Sequence, residues 1–146
     1  MNKDVLKKAA NRIGENVELN GLMRKDGRLK FRSVSQAKDI VGFDYIVNWD
    51  GGCYQFYAAN PPLIGLTEPE PVICPVGLAI FWEYKIDYKE AVKLFQQGDW
   101  GESFTSIVLS KPMVHPEPSE PYWHFQSILG VEITIGADSG KVIYPK

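Results

Sequence analysis

Five cationic side chains fall within nine residues: Arg24, Lys25, Arg28, Lys30 and Arg32. Such a cluster can neutralise phosphates, and the release of condensed counterions drives nucleic-acid binding. A single-strand binder would add exposed rings for base stacking. Phe31 is the one aromatic among the first 42 residues, so that chemistry is missing. Nucleic-acid binding through Arg24–Arg32 is therefore a second alternative. A solvated strand face fits better, as does a patch that meets an acidic partner or the chain's own acidic body.

The other reactive side chains are sparse. His115 and His124 stand nine residues apart, with no HxH, HxxxH or HExxH spacing. Cys53 and Cys74 form no CxxC pair, so no metal site is expected. A thiolate nucleophile needs a nearby base, and Cys53 could meet His124 only through tertiary structure. Cys74, between Ile73 and Pro75, reads as a small core residue. Asp50-Gly51-Gly52 and Gly98-Asp99-Trp100-Gly101 match neither GxGxxG nor GxxxxGK[ST] and read as turns, so no cofactor is expected. Glu68/Glu70 and Glu117/Glu120 flank prolines and read as solvated loop charges, not a general acid–base pair. No residue is assigned as catalytic, and the balance leans away from an enzyme.

What remains is aromatic. Of eighteen aromatic residues, seventeen lie beyond residue 42, so most must be core. Trp49, Tyr54, Tyr57, Trp82, Tyr84 and Trp100 are also the types that anchor pockets and interfaces. The candidate binding residues are Trp49, Tyr54, Tyr57, Trp100, His124, Arg28 and Arg32. In Tyr122-Trp123-His124-Phe125, strand alternation puts Trp123 and Phe125 on one side and His124 with Tyr122 on the less apolar other side.

The elements that position these residues follow from periodicity. Val5, Leu6, Ala9, Ala10 and Ile13 form one apolar stripe, which predicts a helix over 3–13 with Gly14 as its cap. Asp26-Gly27 carries a hairpin-turn signal, followed by a strand in which Arg28, Lys30 and Arg32 share one basic face. Ser35 to Val41 reads as one or two helical turns capped by Ser33 or Ser35. Phe43–Asn48 and Cys53–Ala58 read as a hairpin, with Phe43, Tyr45, Val47 and Trp49 on one face. Nine of ten prolines cluster in two loops, around 61–75 and 112–121, which excludes central strands there. Val76–Tyr84 is ambiguous between strand and helix. Asp87 and Glu90 give a capping box for a helix to Gln97. Strands are expected over Phe104–Leu109, Tyr122–Ser127, Val131–Ile135 and Lys141–Tyr144. This order predicts an α+β fold: an antiparallel sheet with two main helices packed on one face.

The sequence is 146 residues long, which suits a single domain over 1–146. Its net charge of −2 conceals a split. Residues 1–42 carry a net +5 and all four arginines, and read as a basic helix plus hairpin. Residues 43–146 carry a net −7 and read as the acidic, aromatic-rich α+β body. No apolar run approaches the roughly 18–20 residues that span a bilayer, so no membrane association is expected. The N-terminal residues lack the apolar core of a secretory signal. The expectation is a cytoplasmic protein with both cysteines reduced; a Cys53–Cys74 disulfide would be expected only had a signal been removed.

The tail from Tyr122-Trp123-His124-Phe125 to Asp138-Ser139-Gly140-Lys141-Val142, with the helix 87–97 before it, resembles a PepSY-type domain over about residues 85–144. The closing turn is tighter than that family's Asp-Ala-x-Thr-Gly-x-Val. The resemblance implies a non-catalytic, often inhibitory or regulatory domain, usually exported. The favoured expectation is a non-catalytic cytoplasmic binding module with a protein partner, of the inhibitor or immunity type. The alternative is a small-molecule binder or hydrolytic enzyme of cystatin-like or NTF2-like shape using His124. Exposed strand edges leave a homodimer open.

Overall fold

A computed structural model of the chain describes residues 2–14, 19–114 and 119–143. Helix α1 spans Asn2–Ile13 and is followed by strands β1 (Gly21–Leu29), β2 (Ile40–Trp49), β3 (Gly52–Ala59) and β4 (Glu70–Val72). Helix α2 (Tyr88–Phe95) leads to β5 (Phe104–Ser110), β6 (Tyr122–Ser127), β7 (Glu132–Gly136) and β8 (Val142–Ile143). His115, Glu117 and Tyr144 lie outside the described residues.

The strands form one eight-stranded sheet in the order β4-β3-β2-β1-β5-β6-β7-β8. Every pair is antiparallel. Two four-stranded meanders thus run outward from the β1–β5 seam. This corrects the expected α+β architecture with two main helices. The sheet dominates, and the helices are only twelve and eight residues long. Two short helices cannot cover so wide an apolar sheet face, so irregular chain joins them. Phe81 and Tyr84 from the 73–86 segment pack into the same core. That segment is neither strand nor helix; it touches the sheet through bridges such as Leu22 to Phe81.

The 43–58 hairpin forms as expected. Asp44 faces Tyr57 and Asn48 faces Cys53 across the pair. Asp50 and Gly51 both take positive φ, 48° and 76°, as a tight hairpin turn demands. Phe43, Tyr45 and Val47 are buried, whereas Asp44 and Ile46 are half-buried on the opposite face. The Asp87 carboxylate accepts the Glu90 backbone N–H at 3.0 Å and starts α2. Phe95 from α2 stacks on Phe125 at 4.6 Å and meets Phe104 edge-on at 5.6 Å. Each such fully buried ring contributes ~1.5–3 kcal/mol.

Several local expectations are corrected. Asp26-Gly27 is not a turn: β1 runs straight through it. A side chain at Gly27 would bring its Cβ 2.4 Å from Ile107 Cγ2, so this glycine serves close packing within the core. Lys30 and Arg32 consequently lie past the strand end and not on a basic strand face. The charged segment lies inside the sheet, because β1 is flanked by β2 and β5. Ala37–Asp39 supplies the expected single turn, as a 3-10 turn, but with Gln36 and not Ser33 or Ser35 in the cap position. Finally, Cys53 and Cys74 are joined in a disulfide, not reduced. The hydrogen-bonded pairing of Cys53 with Val72 brings the segment past β4 alongside β3, within reach of the bond. Closing a loop of this separation restricts the unfolded chain by roughly 3 kcal/mol.

Candidate functional site

The two sheet faces differ. One carries Phe43, Tyr45, Ile107, Trp123 and Phe125, all buried in the core to which α1 and α2 contribute. The other carries the alternate residues of the same strands, most of them polar and half-buried or exposed. At the centre of this open face, Asp26 on β1 lies opposite Asp44 on β2. Two like charges opposite each other destabilise a sheet unless neutralised. Arg24 pairs with Asp26, at 2.6 Å from Nε, and Arg28 takes Asp44 in a bidentate pair with both contacts at 2.8 Å. Both pairs are well solvated, so their value is positional more than energetic.

Arg28 does a second thing. Its guanidinium lies 4.2 Å from the centre of the Tyr57 ring. The ring occupies space that Gly42 leaves open: a Cβ there would sit 2.2 Å from the Tyr57 hydroxyl. Gly42, Arg28, Asp44 and Tyr57 therefore form one interlocked group drawn from three strands. The Asp44 hydrogen bond raises the Arg28 pKa further, so its charge is permanent. Burial pushes the Tyr57 hydroxyl up, against the pull of Arg28. Beside this group opens a cleft of about 300 Å³ whose lining also includes Gln55, Thr67, Glu68 and Glu70. Tyr57 and Thr67 exchange backbone and hydroxyl bonds that pin the loop wall, including Tyr57 N–H to Thr67 Oγ1 at 2.8 Å. Arg12 from α1 reaches Glu68 at 3.2 Å. The rim is thus rich in carboxylates.

The sequence-derived candidates separate into five places. Arg28 and Tyr57 come together here. Trp49 and Tyr54 meet at the hairpin end, ring centres 5.7 Å apart, on a shallow pocket of about 220 Å³. Trp100 is buried against Phe95 and belongs to the core. Arg32 is exposed beyond β1. His124 stands on the open face, as alternation required, between two hydroxyls: Ser110 at 3.2 Å from Nε2 and Thr134 at 3.4 Å from Nδ1. Burial lowers its pKa, against the raising pull of Glu132 and with a smaller push from Arg24. Cys53, bonded to Cys74, offers no thiolate to His124. The five clustered cations do not share a face either, because Lys25 points into the core. Sequence reasoning missed Asp44 and Gly42. Asp44 sits at an alternation position that only a known strand register connects to Arg28.

Among the described residues, no three or more His, Cys, Asp or Glu side chains converge as a cation site. Among the described residues, likewise, no helix is long and apolar enough to cross a membrane. The chain matches no family model, no curated protein and no solved structure.

Proposed function

We propose that this chain is a non-catalytic binding module that engages a protein partner through the open face of its sheet, centred on Arg28, Asp44 and Tyr57. The observation that carries this reading is the interlocked group itself. A guanidinium held by a carboxylate and an aromatic ring, beside a small cleft, is a rigid recognition surface. It offers no nucleophile paired with a base. The carboxylate-rich rim of Glu68 and Glu70 suits a segment of the partner that carries Lys, Arg or other donors. An inhibitory or immunity-type role, in line with the PepSY-like stretch over 85–144, is the form of this function we favour. The cytoplasmic placement belongs to this proposal too, and goes with a form in which Cys53 and Cys74 are reduced; the disulfide form goes with an oxidising compartment.

The test is affinity capture from native lysate with the wild-type chain and with an Asp44→Ala/Tyr57→Ala variant of matched thermal stability. A protein retained by the wild type and lost from the variant supports the reading. Equal retention by both, or no retained protein, overturns it.

A further inference from the structure

Three sulfur atoms converge where the β2–β3 hairpin meets the bulged start of β1. Cys53 Sγ is bonded to Cys74 Sγ and lies 3.3 Å from Met23 Sδ. A side-chain amide is aimed at all three: Asn48 Nδ2 is 3.7 Å from Cys53 Sγ, 3.9 Å from Cys74 Sγ and 3.9 Å from Met23 Sδ. Asn20 Nδ2 donates to the Asn48 side-chain carbonyl oxygen at 2.7 Å, an arrangement that leaves the Asn48 amide nitrogen facing the sulfurs. Asn48 is only 7% exposed.

This arrangement suits an anionic sulfur better than a disulfide. Disulfide and thioether sulfurs are weak acceptors, so a buried amide donor gains little from them. A thiolate would accept a charge-assisted bond from the same N–H groups. Two thiolates with a thioether as third ligand form a soft donor set that selects against calcium and magnesium, and its thioether and three-ligand count suit a monovalent copper-type ion better than four-coordinate zinc. The supporting amide is already in the outer position that fixes and tunes such ligands. Access exists as well: Cys74 is half-buried, and Cys53 lines the pocket under Trp49 and Tyr54.

We infer that the reduced chain binds one soft monovalent metal ion, of the Cu(I) class, through the Cys53 and Cys74 thiolates and the Met23 thioether, with Asn48 donating to the thiolates. Two molecules of a small thiol first reduce the disulfide, giving two Cys thiols and the oxidised thiol dimer. Metal entry then forms two thiolate bonds and one thioether bond and releases two protons. The oxidised chain has no thiolate to offer, so the site is open only in the reduced form.

The test is an anaerobic titration of the reduced full chain with Cu(I) in competition with the chromogenic chelator bicinchoninate. One equivalent held by the reduced wild type, and none by the oxidised protein, is expected. Met23→Leu, which keeps the volume, should weaken binding by about tenfold or more, and Cys53→Ser/Cys74→Ser should abolish it. X-ray absorption on the loaded wild type, which needs no variant, should count three sulfur neighbours. The inference is overturned if the chelator keeps all the copper, if the serine variant competes as well as wild type, or if two sulfurs are counted. Loss of the far-ultraviolet strand signal on reduction alone would overturn it equally.

Discussion

Lys25 sits 4% exposed inside the core, with its ammonium nitrogen 4.4 Å from the centre of the Phe43 ring and 5.1 Å from that of Tyr45. The Tyr84 and Trp123 rings lie at 5.8 Å, and the Tyr84 hydroxyl is 3.1 Å away. Burial brings its pKa down from 10.5 to about 7, with Asp87 pulling the other way. The perturbation to make is Lys25→Met. Between pH 7 and 10.5 the unfolded chain holds a proton here that the folded chain has released, so stability rises with pH across that window and is flat below it. The slope is about 1.4 kcal/mol per pH unit. From pH 7.5 to 9.5 the wild type therefore gains roughly 2–3 kcal/mol from this group. Tyr45, whose pKa burial raises well beyond its ordinary value, begins to act in the opposite sense only at higher pH. In Lys25→Met the contribution vanishes. The lost ring and hydroxyl contacts shift the whole curve but add no slope. Urea denaturation of both proteins at half-unit steps from pH 7 to 9.5 measures the difference. Parallel curves would refute the reasoning, since a lysine with an ordinary pKa adds no slope in this range.

Two further perturbations test other parts of the structure. Glu120 is 3% exposed and ties down the β7–β8 turn by accepting the Asp138 and Ser139 backbone N–H groups and the Ser139 hydroxyl, each at 2.8 Å. Burial alone would raise its pKa, but these donors and Lys141 outweigh it and hold the carboxyl below its ordinary value. Its stabilisation is therefore present above the unfolded pKa and lost as pH falls through the folded one. Glu120→Gln should cost about 1–3 kcal/mol in urea at pH 7 and flatten the acid limb of the stability curve; an unchanged acid limb would contradict this account. Gly42→Ala should push the Tyr57 ring off its seat and destabilise by ~1–3 kcal/mol. The Arg28 Nε–H resonance should also lose its ring-current shift, and an unmoved resonance would show that the ring does not need that space.

Some of this architecture is local and was legible. The 43–58 hairpin follows from alternation on both sides of Asp50-Gly51, and the start of α2 follows from Asp87 and Glu90. His124 was correctly assigned to the less apolar face, because side-chain alternation in a strand depends on nothing distant. Asp26-Gly27 shows where local reading fails. Its turn chemistry is real, yet Gly27 is needed where Ile107, eighty residues away in the chain, packs against β1.

The sequence alone determined that the chain has an amphipathic N-terminal helix, a central aromatic hairpin, proline-punctuated loops and a strand-rich tail. Only the tertiary structure decided which residues meet. It made β1 the seam of two meanders, buried Lys25 among rings while leaving Arg24 and Arg28 on the open face, and closed Arg28 on Asp44 and Tyr57. It also brought Met23, Asn48, Cys53 and Cys74 to one point. The physical reason is that helix caps, turns and side-chain alternation are set within a few residues. Pairing between strands is set by burial of a shared face, and contacts across it follow a register that no local stretch encodes.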